Sequence, residues 1–145
     1  MAEAILYNAA LHDVPPALAF ALCAEESSYN PRAFNRNWNG TVDRGLFQLN
    51  SGTFRELSVE EFYDININSW HGLMYLRRAL NTAGTDVAAL ALYNAGPHNV
   101  SSAGTPKSTL DYISRILRRQ RRIEELFIIE YIRFTQMKPS NEAHY

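Results

Sequence analysis

Apolar residues in the first part of the chain recur at helical spacing and are separated by turn-forming residues. Residues 3–11 predict a short helix that ends before the pair Pro15-Pro16. A second helix is predicted over residues 15–27, because proline is tolerated in the first turn of a helix and Asp13 can cap it. This segment is apolar nearly all round, so we expect it to lie buried in the centre of the protein. Asn30-Pro31 ends it.

Polar and turn-forming residues dominate the next stretch, 32–45, which is rich in asparagine and glycine and is not expected to be regular. A short helix is predicted over 53–57. Ser58 followed by Glu61 fits a capping box for the next helix. A stronger helix is predicted over 67–80, with an apolar stripe formed by Trp70, Leu73, Met74, Leu76 and Leu80. Gly84 is expected to end that helix.

The last part of the chain contains one short and one long predicted helix. Asp86 is expected to cap a helix over 87–93, which stops at the Asn-Ala-Gly-Pro sequence of 94–97. A polar loop then leads to a final helix over 108–137. Because long period-two alternation is lacking while helix start and stop signals recur, the predicted fold class is all-α, without an internal repeat.

Composition indicates a soluble globular protein of one domain. Apolar residues make up 46% of the 145 positions and charged residues 20%. Because the formal net charge is −1, nucleic-acid binding is not expected. The single cysteine, Cys23, lies in an apolar run and is expected to be buried and inert. No secretory signal is visible, so the protein is expected to be either cytoplasmic or a mature form whose signal was removed.

The sequence predicts no metal or cofactor. The histidines are scattered, without the spacing of metal ligands, at His12, His71, His98 and His144. Glycine-rich nucleotide motifs and phosphate loops are lacking, and no serine lies in a nucleophile elbow.

Glu25 and Glu26, at the end of the most apolar predicted helix, are the most informative residues. Carboxylates are rarely placed beside a buried helix without a partner or a function. A nonpolar environment and the negative end of a helix dipole both raise the pKa of a carboxyl group, which suits a general acid near neutral pH. On these grounds alone both side chains could equally face solvent, and their spacing does not say which one would point inward.

Three further patches contain groups that suit a sugar site. Residues 43–50 combine a glycine turn with the amide of Gln48, Tyr93-Asn94 closes a helix, and Tyr112 lies in the first turns of the last helix. Taken singly, each is more typical of packing or capping. Together they supply the amides, hydroxyls and rings that recognise pyranoses.

Four motifs, in this order, resemble those of the soluble lytic transglycosylase family. They are Glu26-Ser27-Ser28-Tyr29-Asn30-Pro31, Gly45-Leu46-Phe47-Gln48, Ala91-Leu92-Tyr93-Asn94-Ala95-Gly96-Pro97, and the segment from Thr109 to Tyr112. The resemblance implies a lysozyme-like helical domain with a groove for the glycan strands of peptidoglycan. It also implies a periplasmic or otherwise extracytoplasmic location.

The resemblance further implies a role for each matching residue. Glu26 would be the catalytic acid that protonates the bond between N-acetylmuramic acid and N-acetylglucosamine. It would then act as base on the sugar's 6-hydroxyl, giving 1,6-anhydro ends, while the substrate's N-acetyl group replaces an enzyme nucleophile. Ser27 and Tyr112 would hold the Glu26 carboxyl group. Three residues would orient the sugar and its N-acetyl groups: Gln48, Tyr93 and Asn94.

Two residues depart from the family pattern. Phe47 stands where the motif has methionine, so the shape of a sugar subsite is expected to differ. Asp43 lies in the region where goose-type lysozymes have aspartates that position a water. Hydrolysis of the same bond is therefore one alternative, if Asp43 reaches the anomeric carbon. A peptidoglycan-binding module without turnover is the other.

The resemblance ends within the final helix, so the catalytic domain is assigned to residues 1–122 and a helical extension with a tail to 123–145. The extension follows a basic cluster of Arg115, Arg118, Arg119, Arg121 and Arg122 and begins with an apolar run of Ile123, Leu126, Phe127, Ile128, Ile129, Ile132 and Phe134. We expect solvated arginines and an apolar face packed on the same domain. The alternative is a docking helix for an anionic polymer, a membrane surface or a cell-envelope partner. The oligomeric state is left open.

Overall fold

Helices form most of the protein, as the sequence predicts. The computed structural model describes residues 1–102 and 104–137, and within them six helices and three short strands follow one another. Their bounds are α1 (Ala2–Leu11), α2 (Pro16–Ser27), β1 (Phe34–Arg36), β2 (Val42–Arg44), β3 (Leu49–Asn50), α3 (Val59–Tyr63), α4 (Ile65–Ala83), α5 (Asp86–Ser102) and α6 (Lys107–Met137).

Helix α2 lies at the centre of the core, which confirms the prediction from its apolar sequence. Its buried residues are Leu18, Ala19, Ala21, Leu22, Cys23 and Ala24. The predicted cap at Asp13 is wrong, because the helix begins at Pro16 and the cap position falls on Pro15. The Asp13 carboxylate instead lies 3.3 Å from Arg77 of α4. The helix ends at Ser27, and the C-cap Ser28 has a left-handed φ of 52°.

A small antiparallel sheet is ordered β1-β2-β3, and its first two strands lie in the stretch 32–45 that was not expected to be regular. Its strands are two or three residues long, too short for a period-two pattern to show in the sequence. Gly40, with φ of 84°, allows the turn between β1 and β2. The Asn37 amide donates to the Thr41 carbonyl at 2.9 Å and closes that turn.

The predicted helix over 53–57 is also wrong, because this segment consists of turns. Asn50 is the last residue of β3, and its carbonyl accepts the amides of both Thr53 and Phe54 at 3.0 Å. The next bond runs only from the Leu57 amide to the Phe54 carbonyl, at 3.3 Å. These single turns reverse the chain without propagating into a helix.

The capping box at the start of α3 is confirmed. Glu61 donates its amide to the Ser58 hydroxyl and accepts the Ser58 amide. Asp64 then caps α4 by accepting two backbone amides, and left-handed Gly84 ends that helix as predicted. Leu73 and Leu76 of the predicted stripe are buried, whereas Trp70 at its edge remains 40% exposed.

Helix α6 packs its first half on α2 and then extends beyond the body. Tyr112, Ile113 and Ile116 are buried, but the side chains after Ile123 are not. The expectation that the extension packs on the same domain is therefore wrong for Leu126, Phe127, Ile128, Ile129, Ile132 and Phe134, which are 43–73% exposed. The reason is length, since 31 residues span about 45 Å, more than the width of a small domain. None of the helices, searched over the described residues, is long and apolar enough to cross a membrane.

Candidate active site

A groove with a volume of about 480 Å³ lies between the sheet and helices α2, α4 and α5. Glu26 lines it from α2, Tyr75 from α4, and Tyr93 with Asn94 from α5. The sheet and its turns add a polar wall that includes Asn37, Asn39, Thr41, Asp43, Gln48 and Asn50. A groove of this size, with rings on one side and amides on the other, suits a carbohydrate.

The Glu26 carboxyl group opens onto this groove from the last turn of α2. Desolvation by the surrounding protein is the main cause that raises its pKa from 4.5 to about 7. The negative charges of Asp43 and Glu25 raise it further, while a hydrogen bond from Tyr112 lowers it. At neutral pH the group therefore exists in both protonation states, as a group that must both donate and accept a proton requires.

The neighbouring carboxylate, Glu25, points away from the groove toward α6. Its two oxygens lie 2.6 Å from Arg115 Nε and 2.6 Å from Arg119 Nη1. The sequence did not indicate from physical chemistry alone which glutamate faces inward. The structure separates them, because one is neutralised by two arginines and the other borders the groove. Arg115 and Arg119 of the basic cluster thus pair with Glu25, while Arg118 donates to Ser114 Oγ at 3.0 Å and Arg122 lies 3.7 Å from Glu125.

Tyr112 of α6 holds the Glu26 carboxyl group. Its hydroxyl donates a hydrogen bond to Glu26 Oε1 across two helices that are distant in sequence. Burial, followed by the charge of Glu26, raises the pKa of Tyr112 well above 10, so the phenol remains a donor at all physiological pH values. The bond fixes one oxygen of the carboxyl group against α6.

Ser27 does not make the contact that the family resemblance implies. Its Oγ donates to the Cys23 carbonyl at 3.2 Å, one helical turn back, rather than to Glu26. A serine inside a helix commonly forms this local bond, because its hydroxyl and the carbonyl four residues earlier lie on one face. Ser27 therefore stabilises the end of α2 in the described structure.

The turn between β2 and β3 is held by Asn68 of α4. The Asn68 side chain accepts the Phe47 amide at 2.8 Å and donates to the carbonyls of Arg44 and Phe62 at 3.0 and 2.8 Å. Gly45, at φ 78°, sits so close to Asn68 that a Cβ there would lie 2.3 Å from its Nδ2. Asn68 was not among the residues predicted to form the site, and the structure identifies it as a polar side chain that is almost fully buried.

Gln48 follows this turn with a φ of 46° and lines the groove. Its Nε2 donates to the Gly45 carbonyl at 2.9 Å, which orients the amide. Phe47, in contrast, does not shape a sugar subsite as expected. Its side chain is fully buried and faces Gly72, where a Cβ would lie 2.4 Å from the Phe47 Cβ. The ring fills the core because the turn directs it toward α4.

Tyr93 and Asn94 form the groove wall at the end of the first part of α5. The Tyr93 hydroxyl donates to the Phe47 carbonyl at 3.0 Å, so it also fixes the β2–β3 turn. The Asn94 side-chain oxygen Oδ1 accepts a hydrogen bond from the Thr109 hydroxyl at 2.9 Å. Gly96, with φ 75° and ψ 158°, then kinks α5, as the predicted stop at 94–97 indicates.

Asp43 lies in the polar wall, where amide groups surround its carboxylate. Oδ1 accepts Asn50 Nδ2 at 2.6 Å, and Oδ2 accepts Asn37 Nδ2 at 2.9 Å and Asn35 Nδ2 at 3.4 Å. Both oxygens are thus occupied by protein donors. This arrangement braces the three strands and presents the Asp43 charge to the same groove as Glu26.

Several groove residues were missed because they lie in the turn between β1 and β2. Trp38 is 99% exposed at the rim of the groove, beside Asn37 and Asn39. The Asn39-Gly40 dipeptide is a strong hairpin signal that could have revealed this turn. Among the described residues, no group of three histidine, cysteine, aspartate or glutamate side chains is placed to hold a metal ion.

Comparison with known proteins identifies the family. A family model described as the transglycosylase SLT domain matches residues 3–115. The chain belongs to the SLT transglycosylase family. This SLT domain extends from α1 into the first half of α6 and includes both partners of the bond between Tyr112 and Glu26.

Similar proteins come from bacteria and a phage. Protein IpgF of Shigella flexneri is 30% identical over 118 residues, which make up 77% of this chain and 75% of IpgF. The transglycosylase of Enterobacteria phage PRD1 is 31% identical over 106 residues, 73% of this chain and 38% of the phage protein.

A solved structure has the same fold. An inactive mutant of the lytic transglycosylase Slt from Pseudomonas aeruginosa superimposes with a TM-score of 0.68 at 22% identity, over 81% of this chain. This chain spans only 23% of that larger protein. The expected lysozyme-like helical SLT fold is therefore confirmed.

Proposed function

We propose that this SLT-domain protein is a peptidoglycan lytic transglycosylase that uses Glu26 as both acid and base. The observation that carries the proposal is the Glu26 carboxyl group itself. It opens onto a groove, its pKa is raised to about 7, and Tyr112 holds one of its oxygens. The substrate would be the β-1,4 bond between N-acetylmuramic acid and N-acetylglucosamine.

In the first step Glu26 donates its proton to the bridging oxygen, and the bond from that oxygen to C1 of the muramic residue breaks. Positive charge develops at C1, and the carbonyl oxygen of the substrate's own 2-acetamido group stabilises it. Glu26 is left as a carboxylate. Tyr112 then donates to an ionised partner, and such charge-assisted hydrogen bonds are stronger than neutral ones.

In the second step the Glu26 carboxylate removes the proton of the muramic 6-hydroxyl, and the new bond forms between O6 and C1. Glu26 is protonated again and the product carries a 1,6-anhydro ring. Atoms balance without a water molecule. One group serves both steps well because a pKa near 7 makes neither the loss nor the gain of the proton costly at neutral pH.

The remaining groove residues would bind and orient the glycan. Gln48 and Asn94 present amides to the groove, and Tyr75 and Tyr93 present rings. Amides suit the N-acetyl groups and rings suit the apolar faces of pyranoses. Tyr93 would act partly through the turn, since its hydroxyl is already bonded to the Phe47 carbonyl.

The alternative of hydrolysis requires a carboxylate that activates water opposite Glu26. Asp43 is the other carboxylate among the groove-lining residues that the structure describes. Its two oxygens accept amides from the sheet, so activation of a water would have to compete with these bonds. This geometry favours transglycosylation over hydrolysis.

Digestion of purified sacculi followed by mass spectrometry of the muropeptides tests the proposal. Anhydro-muramic ends, one water lighter than reducing ends, are expected. Reducing ends would instead assign Asp43 the role of a base. Glu26→Gln should lower the rate by roughly 10²–10⁴-fold while the protein still binds sacculi. Absence of any release by the folded wild type would favour a binding module. A peptidoglycan substrate also implies an extracytoplasmic place of action.

A further inference from the structure

A second concave surface lies between α1 and α4, outside the groove. It has a volume of about 360 Å³ and is formed by Tyr7, Asn8, Asn66, Ile67, Trp70 and His71. None of these side chains lines the groove. We call this surface the α1–α4 pocket.

The α1–α4 pocket exposes two aromatic rings. Tyr7 is 68% exposed and Trp70 is 40% exposed, although Trp70 belongs to the apolar stripe of α4. The indole is held in place by the imidazoles of His12 and His71, with ring centroids at 5.2 and 4.7 Å in edge-to-face geometry. A ring that is both exposed and pre-oriented can stack on a ligand with little loss of side-chain entropy.

The pocket is apolar with uncharged polar groups at its edge. Asn66 is exposed at the start of α4 and supplies an amide. Burial lowers the pKa of His71 below its usual value, although the negative charges of Glu56 and Glu61 act to raise it. A lining of rings and amides without charge matches a neutral pyranose with an acetamido group. It does not match a charged peptide stem or an anionic polymer, which would require ionic partners.

The pocket and the groove lie on opposite sides of a wall formed by two touching rings. Phe54 lines the groove, and its ring contacts that of His71, with centroids at 5.5 Å in edge-to-face geometry. Phe54 also contacts Tyr75, another groove residue, at 5.9 Å. One wall therefore separates the two concave surfaces.

We propose that the α1–α4 pocket binds an N-acetylhexosamine unit of a peptidoglycan glycan strand, with Trp70 and Tyr7 stacking on the sugar. The site would keep the enzyme on a strand while the groove binds the bond to be cleaved. This inference rests on the proposed function, because it takes the glycan as the ligand of both surfaces.

The two tryptophans of the chain provide a direct test, since Trp38 lies at the groove and Trp70 in the pocket. In the Glu26→Gln background, Trp38→Phe leaves Trp70 as the fluorescent reporter, and Trp70→Phe leaves Trp38. Each variant is titrated with chitotetraose, the β-1,4-linked tetramer of N-acetylglucosamine. Saturable changes in the emission of both reporters are expected.

Tyr7→Ala, made in each of the two single-tryptophan variants, distinguishes binding in the pocket from a signal relayed through Phe54 and His71. Because Tyr7 is exposed, the fold should be retained, which circular dichroism checks. The midpoint of the Trp70 titration should rise at least about fivefold, because the stacking contribution of one aromatic ring is lost. The Trp38 titration should not change with Tyr7→Ala.

The outcomes separate the two proposals. If the emission of Trp38 changes on titration and that of Trp70 does not, the sugar site in the pocket is overturned and the proposed function of the groove stands. A Trp70 response whose midpoint ignores Tyr7→Ala would also overturn the pocket. If only the emission of Trp70 changes, the result contradicts glycan binding in the groove alone. If neither emission changes, the result contradicts both proposals.

Discussion

Replacing Glu26 by glutamine is expected to make the protein more stable at neutral and alkaline pH, although it removes the proposed catalytic acid. Below pH 4.5 the carboxyl group is protonated in both the folded and the unfolded chain. Between pH 4.5 and 7 it ionises mainly in the unfolded chain, so the free energy of unfolding of the wild type falls as pH rises. Above pH 7 that loss is complete.

The size of the effect follows from the pKa. A rise from 4.5 to about 7 corresponds to about 3 kcal/mol. Glutamine has the same shape, can accept the hydrogen bond of Tyr112 and has no proton to lose. The gain of Glu26→Gln over the wild type should therefore be small near pH 4.5 and grow to about 2–3 kcal/mol above pH 7.

Urea unfolding of both proteins at a series of pH values from 4.5 to 8.5 measures this difference. Glu25→Gln is the matched control, because it removes the ion pairs with Arg115 and Arg119 instead. The control should lose stability at neutral pH. A Glu26→Gln variant that is no more stable than the wild type at pH 8.5 would refute the reasoning, since the ionised carboxylate would then be buried at no cost.

Three further substitutions test separate parts of the structure. Tyr112→Phe removes the bond that lowers the pKa of Glu26, so the alkaline limit of the pH–rate profile should move to higher pH; an unmoved limit would contradict this. Gly72→Ala would place a Cβ 2.4 Å from that of Phe47, so thermal unfolding should report a loss of about 1–3 kcal/mol, and unchanged melting would argue against this close packing. Phe127→Ala, at a ring that is 73% exposed, should change the free energy of urea unfolding by less than about 0.5 kcal/mol; a larger loss would mean that the ring is covered in solution.

The helical elements could be predicted because their signals are local. The apolar run of α2, the capping box at Ser58 and the stop at Gly84 each act within a few residues. The sheet could not be predicted in the same way. Its strands are too short to show a period, and they are stabilised by side chains from a distance, such as the amides that surround Asp43.

The sequence predicted which residues form the candidate site better than it predicted the contacts that these residues make. The family motifs pointed to Glu26, Gln48 and Tyr93, all of which the structure brings to one groove. The burial of Phe47 could not be predicted, because it depends on packing against Gly72 of a distant helix, whereas the bond from Ser27 to the Cys23 carbonyl is a common local pattern that the family resemblance did not indicate. The exposed extension of α6 was mispredicted since an apolar run does not reveal where the body ends.

The bond between Tyr112 and Glu26 joins residues that are 86 positions apart, and the two arginines bound to Glu25 lie on the same late helix. Ribosomes add about 5–20 residues per second, so α2 emerges seconds before α6. In a nascent chain, or in one cut before α6, Glu26 lacks the hydrogen bond from Tyr112, and α2 lacks the helix that packs on it. The proposed active site is therefore complete only once the last helix has been made and has packed on α2.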